Sequence, residues 1–373
     1  GHLRLRQGKS SEALAYFETA AGLAGQADNH SLEAKAALSA AETGVLTGAT
    51  TGDSIAWLER AWKATQQLQP SRPRAYLEIR NAQLLQKLAY DSSEKKSGLL
   101  AAVAARLQQA IKTADASGDA RAASFAYGYL GELYEQQERY DEALKLTDRA
   151  IFRTQQVYAP ELLYRWEWQQ GRIYRAQGNG PAAIDAYRRA SKSLQAIREE
   201  FTASNETIAA SFRDDASPLF LGLADLLLRE SESSSSPAQT QALLKEARET
   251  IELLKTTEVQ DYFEDDCVAA VRARVKELDD TIVPGTALLY PISLPDRLEL
   301  LVSLSSGLVK YTVPVGNEAL VKEVHLFRKR LEKRTTRQYM HQARQLYQWL
   351  IKPVESVLQD NDINTLVVLA LIH

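Results

Sequence analysis

The sequence predicts a mainly α fold: an α-solenoid of stacked helix pairs followed by the front part of an α/β domain. Two observations predict it. The first is a recurring code of small and large residues. From Gly131, Tyr134 follows at +3, Ala143 at +12, Thr147 at +16 and Ala150 at +19. From Gly171, Tyr174, Ala183, Tyr187 and Ala190 fall at the same offsets, and from Gly1, Ala13, Phe17 and Ala20 repeat the last three. The second is a change of period. Apolar residues recur at helical spacing through the first three quarters of the chain, then alternate or cluster in short runs after residue 284.

Small residues at the first and third marks let two helices approach closely, and the larger residue between them fills the remaining volume. On these residues the units resemble tetratricopeptide repeats, which are helix-turn-helix modules with this code. Two weaker copies keep the second-helix offsets: Ser54, Leu58 and Ala61, then Val103, Leu107 and Ala110. The spacing from Gly131 to Gly171 is 40 residues, longer than the usual period of about 34, so extended helices are expected. About five helix pairs account for residues 1–204. The chain opens inside a repeat with no starting Met, and on that ground it reads as part of a longer protein.

Residues 205–283 keep helical periodicity without the code and are read as connecting helices. "NETIAASFRDDASPLFLGLADLLLRES" is one or two apolar helices, broken or kinked at Pro218. The serine run at 231–239 is expected as an exposed, mobile loop. "TQALLKEARETIELL" resumes an amphipathic helix on Leu243, Ala247, Ile251 and Leu254. From 284 to 373 the pattern reads β-β-β-α-α-β. "VPGTALLYPI" enters the first strand, Leu298, Leu300, Val302 and Leu304 share one face of the second, and Val309, Tyr311 and Val313 share one face of the third. "SSG" offers a hairpin turn. Helices are expected at about 318–333 and 337–358, the latter broken by Pro353, and "INTLVVLALI" reads as a fully buried strand.

Four stretches, "PLFLGLADLLL", "ELLKTTEVQDYFEDDC", "TALLYPISLPDRLELLVSL" and "LYQWLIKPVESVLQDNDINTLVV", resemble in this order the N-terminal half of a CHAT domain. CHAT domains are caspase-like, in the clan of caspases and separases. With the repeats before it, nearly the whole chain is similar to a bacterial repeat-plus-CHAT protein. The resemblance implies a cysteine endopeptidase with a His–Cys dyad. That dyad belongs after the strand matched by "TLVV", where the family carries a Pro-Asp-Gly turn. Here "LALIH" follows instead, so no catalytic residue is assigned and this chain is expected to be inactive by itself. The alternative is an interaction scaffold with a degenerate caspase-like domain.

The remaining chemistry is sparse. The only thiol, Cys267, follows Glu264, Asp265 and Asp266, whose charge disfavours a thiolate, and it is read as a small packing residue. His325 and His341 fall on helix faces, and no His pair shows metal-ligand spacing, so no metal site is expected. No glycine-rich phosphate loop follows a strand candidate, and no cofactor is expected. A net charge of −3 calls for neither nucleic acid nor an anionic membrane as partner. No apolar run approaches the roughly 20 residues of a membrane helix. One cysteine does not fix the compartment, although the cytoplasm is favoured. What remains is recognition. The inner groove of a solenoid is lined by each first helix, which points Arg165, Trp168, Arg172 and Arg175 there from one pair, and Glu132, Glu135 and Gln136 from the preceding one. Arginine forks suit carboxylates and Trp offers an apolar or cation–π platform. The expected partner is a protein or extended peptide, or another segment of the same protein such as the CHAT-like region. Tyr127, Tyr134, Tyr174 and Tyr187 are assigned to helix packing.

Overall fold

The computed structural model describes residues 1–48, 50–91, 96–201, 206–263, 284–332 and 337–369, with side chains described outside 198–201, 206–216 and 257–263. Cys267 with its acidic neighbours, and His373, lie outside the described residues. The chain divides into two compact units, Gly1–Ile197 and Arg198–His373. The division falls inside a helix, a few residues before the boundary expected at 204.

The first unit is built from helices in antiparallel pairs: α1 (His2–Arg6) with α2 (Ser10–Gln26), α3 (His30–Thr47) with α4 (Thr51–Gln66), α5 (Arg72–Asp91) with α6 (Lys96–Ala116), α7 (Ala120–Gln136) with α8 (Tyr140–Gln155), and α9 (Pro160–Ala176) with α10 (Gly180–Phe201). Side-chain caps start several of them. Asn29 accepts from the Leu32 N–H and Asp119 from the Ala122 N–H, each satisfying an amide that the first helical turn leaves unpaired. Inside the pairs the code works as steric reasoning requires. A methyl group at Gly171 would lie within 3.0 Å of the Tyr187 ring, which is 1% exposed. The same relation holds between Gly1 and Phe17. At Gly131 the mark at +16 is Thr147, whose Oγ1 would sit 2.9 Å from an added Cβ. The weaker copies are buried at every mark: Ser54, Leu58 and Ala61, then Val103, Leu107 and Ala110. In the first pair Ala21 takes the fully buried place, and Ala20 is half-buried beside it.

Consecutive pairs stack through both helices, and the odd-numbered helices α3, α5, α7 and α9 also contact one another, more closely than the even ones do. That crowding puts the odd helices on the inside of the curve. The unit is an α-solenoid.

In the second unit, α11 (Glu206–Ser233) and α12 (Pro237–Phe263) form a hairpin, followed by β1 (Thr286–Ser293), β2 (Leu298–Leu304), β3 (Gly307–Val313), α13 (Asn317–Leu331), α14 (Tyr339–Leu350), a 3₁₀ turn (Lys352–Val354), α15 (Glu355–Asp360) and β4 (Thr365–Val368). The sheet order is β3-β2-β1-β4, with β1–β2 and β2–β3 antiparallel and β4 parallel to β1. Leu304 pairs with Gly307, so Ser305 and Ser306 alone make the hairpin loop, and Gly307 supplies a φ of +129°.

Four expectations are corrected. First, α11 runs unbroken through Pro218, with the exposed proline on its solvent side and Leu219 and Phe220 fully buried beside it. Burial of the apolar stripe outweighs the loss of one helical hydrogen bond. Second, the serine run is no long loop. α11 extends to Ser233, α12 starts at Pro237, and only 234–236 connect them. Proline at the first helical position costs no hydrogen bond, so the restart can be this abrupt. Third, β2 is buried on both faces, not one. Leu298, Leu300 and Val302 pack with Leu320, Leu346 and Val354 of the α13–α15 layer. The opposite face meets α11 and α12, where Arg248 donates to Ser303 and Tyr290 to Glu252 (2.5 Å). Fourth, β4 is an exposed strand rather than a buried one, with Val367 at 41% and Val368 at 50% exposure, because among the described strands only β1 lies beside it.

The polar positions on the α11–α12 face of the sheet are paired as burial demands. Glu299 is fully buried. It accepts from Arg297 (2.5 Å) and Thr312 (2.8 Å) and faces Lys310 at 3.7 Å.

Candidate functional site

The groove on the odd-helix side of the solenoid carries the residues that the repeat offsets select. Positions −6, −3, +1 and +4 from Gly171 put Arg165, Trp168, Arg172 and Arg175 along one stripe of α9, as a 3.6-residue period dictates. Arg165 and Arg175 are exposed, and Trp168 and Arg172 half-buried. Glu132 and Glu135 are half-buried on α7, and Gln136 is exposed.

The structure brings part of this set into direct contact. Arg172 donates Nε and an Nη to the two oxygens of Glu135, 2.8 Å each, and its guanidinium lies 4.9 Å from the Trp168 ring centroid. The fork expected to meet a partner's carboxylate is therefore engaged within the fold. Other contacts join the odd helices along the groove. Arg80 of α5 pairs with Glu42 of α3, and Gln86 (3.1 Å) and Tyr90 of α5 both donate to Gln136 of α7. Arg121 of α7 pairs with Glu161 of α9 at 2.6 Å.

Glu132 is the exception. It makes no hydrogen bond or ion pair among the described residues. Burial pushes its carboxyl above the usual range, and the positive charges of Arg172 and Arg165 offset that only in part. It lies one turn beyond Tyr129.

The repeat offsets also find residues that a reading for charge passes over. Position −6 from Gly131 is Phe125, one turn before Tyr129 on the same stripe of α7. The Phe125 and Tyr129 rings stack with centroids 5.9 Å apart, and Tyr76 of α5 meets Phe125 edge-on at 6.1 Å. All three are half-buried. Beneath them Trp166 is 2% exposed, packs edge-on to Tyr129 at 5.6 Å and donates Nε1–H to Ser124 at 2.9 Å. The groove thus has an aromatic shelf next to a half-buried, unpaired carboxylate. Of the tyrosines assigned to packing, Tyr127 and Tyr187 are buried, whereas Tyr134 and Tyr174 keep some exposure.

A recurring arrangement runs through this unit: an arginine fork lies over an aromatic ring and closes on a carboxylate. Arg60 sits 5.5 Å from Trp57 and 2.8 Å from Glu33, and Arg106 sits 5.2 Å from Trp62 and pairs with Glu59. Arg72 sits 5.7 Å from Tyr76 and 3.3 Å from Asp119, and Arg172 repeats the pattern on Trp168 and Glu135. Stacking and charge act together on one planar cation.

In the second unit an apolar cavity of about 350 Å³ lies between sheet and helices, bounded by Leu289, Pro291 and Val368 and by Phe327, Leu346 and Leu350. His325 and His341 are exposed on α13 and α14. Among the described residues no three His, Cys, Asp or Glu side chains converge as a metal site, and no helix is long and apolar enough to cross a membrane.

The helix pairing and its inner groove place the first unit in the class of α-solenoid repeat arrays. No family model and no curated protein matches the chain. Solved structures similar to it include BtubC (BKLC) from P. vanneervenii, at 14% identity over 66% of this chain and 92% of that one, TM-score 0.47. A Rap protein complexed with competence and sporulation factor is 16% identical over 74% of each chain, TM-score 0.40. A Podosopora anserina putative kinesin light chain with nearly identical TPR-like repeats is 14% identical over 58% of this chain and 93% of that one, TM-score 0.39. The helix pairing itself, rather than these likenesses, defines the fold.

Proposed function

We propose that residues 1–197 are a recognition module that holds an extended segment of a protein partner in the odd-helix groove. We propose further that the module serves as the regulatory region of a CHAT-type cysteine protease. The observation that carries the recognition reading is the shelf of Tyr76, Phe125 and Tyr129 beside Glu132, with Arg165 and Arg175 exposed along the same groove. Aromatic surface left partly open in a concave array, with charges of both signs around it, suits a peptide better than a small metabolite or a phosphate backbone. The protease reading rests on the four CHAT-like stretches, and its support from the fold is a sheet with helices on both faces. In this reading peptide hydrolysis belongs to a Cys–His pair that is not among these 373 residues, with Cys267 no part of it, and captured partners act on it through the second unit. The scaffold reading keeps the groove and drops the hydrolysis.

The test of recognition is a pull-down from lysate with the wild-type chain and with the Arg165→Glu, Arg175→Glu double variant. Both side chains are exposed, so the fold should survive. The expected outcome is loss of captured partners with unchanged helical circular dichroism. Equal capture by both proteins would defeat the groove as the binding face. Incubating the full-length protein and its captured partner, with and without a thiol-alkylating reagent, separates protease from scaffold. Alkylation-sensitive cleavage supports the former, and an intact partner the latter.

A further inference from the structure

Five times among the described residues of the solenoid an arginine completes the same three-part arrangement of cation, ring and carboxylate, on Trp57 with Glu33, Trp62 with Glu59, Tyr76 with Asp119, Tyr134 with Glu142, and Trp168 with Glu135. On α7 the ring and the carboxylate occur again, as Tyr129 and Glu132, three residues apart and therefore neighbours on one helix face. Here no arginine or lysine among the described residues closes the set. Arg172, the nearest in the pattern, is held bidentately by Glu135. Arg165 contributes charge to Glu132 but forms no ion pair with it. The ring is fixed from two sides, by Phe125 stacked on it and Trp166 edge-on beneath it, so Tyr129 presents its surface without loss of side-chain freedom on binding. A half-buried carboxylate without a donor is costly to the free protein. A donor brought by a ligand removes that cost, and the interaction gains from the low polarity around it.

We propose that the Tyr129–Glu132 turn of α7 is a subsite for a basic side chain, arginine in preference to lysine, of the extended peptide held in the groove. The inference rests on the peptide-groove reading above and adds the residue class that the groove selects. Arginine is preferred because a planar guanidinium can lie on Tyr129 and direct a fork at Glu132 at once, as in the five internal examples, whereas an ammonium satisfies only the charge. The shelf formed by Phe125 and Tyr76 continues from this subsite and takes an apolar or aromatic side chain next to the basic one.

A bead-displayed library of random nonapeptides, probed with the labelled 373-residue chain as wild type and as Glu132→Gln, tests this. The expected result is that wild-type binders concentrate arginine at one position, at least five-fold over the library. With Glu132→Gln that enrichment disappears while preferences at other positions persist. A consensus peptide resynthesised with citrulline for arginine, neutral but of the same shape, should bind wild type at least ten-fold more weakly. Binders lacking a basic position, or arginine enrichment unchanged in Glu132→Gln, overturn the subsite and leave the groove standing. No binders at all overturns the groove and the subsite together.

Discussion

Replacing Gly171 by alanine sets two effects of opposite sign against each other. Alanine in a helix interior is favoured over glycine by about 1 kcal/mol. Against that, the new methyl would fall within 3.0 Å of the Tyr187 ring, whereas unstrained carbon contacts lie near 3.5–4.0 Å. Tyr187 is 1% exposed and cannot swing away, so α9 and α10 must separate or the ring must leave its rotamer. Overpacking of this kind costs about 1–3 kcal/mol, and an approach this far inside van der Waals distance belongs at the upper end of that range, so the steric effect wins and the net loss is up to about 2 kcal/mol. Gly22 is the control. It lies within α2, and an added Cβ there would meet nothing within 4 Å, so only the propensity gain remains. For a unit of this size each kcal/mol moves the melting temperature by roughly 2–4 °C. Thermal denaturation followed by circular dichroism should therefore show Gly171→Ala melting several degrees below wild type and Gly22→Ala a few degrees above it. If both variants moved the same way, close helix approach at the first mark would not be what the small residue provides.

Glu138 holds a φ of +59° at the offset from Gly131 that Gly8 and Gly178 occupy in their own repeats, so Glu138→Gly should raise stability by about 1 kcal/mol, read as an upward shift in melting temperature. Arg172→Glu alone apposes two carboxylates in a half-buried place, and adding Glu135→Arg should recover most of the lost melting temperature; a double-mutant cycle with no recovery would show that the pair is incidental. Burial raises the Glu132 carboxyl in the folded protein, so the fold holds that proton more tightly than the unfolded chain does. The stability this contributes is present at acidic pH and is lost as pH rises from the ordinary carboxylate range through the raised folded value. Glu132→Gln should accordingly match wild type near pH 4 and melt above it at pH 7, and a gap independent of pH would refute the assignment.

The repeat marks were legible because they are local. Gly171 and Tyr187 are fixed by spacing within one helix pair, and steric contact follows directly. The groove positions were legible for the same reason, since an offset determines which way Arg172 faces. The partner of Arg172 was not, because Glu135 lies 37 residues away and their meeting depends on how neighbouring pairs stack. Phe125 fell at a groove offset with Tyr129 one turn after it, but rings in a repeat protein suggest packing first, and only their partial exposure distinguishes them. In the second unit, alternation placed one face of β2 correctly and missed that α11 and α12 cover the other. The burial of Glu299 and Ser303 was not legible, because their partners Thr312 and Arg248 come from other elements. The strand at 365–368 has an apolar composition that suggests burial, yet exposure depends on neighbours rather than on composition.

The contacts joining one odd helix to the next, Arg80 with Glu42, Gln136 with Tyr90 and Arg172 with Glu135, each link adjacent turns of the array and no others. Bending stiffness is therefore set link by link. Cutting a single link loosens one hinge and leaves the curvature on either side unchanged, so the width of the channel could be adjusted at one place along its length without remodelling the rest.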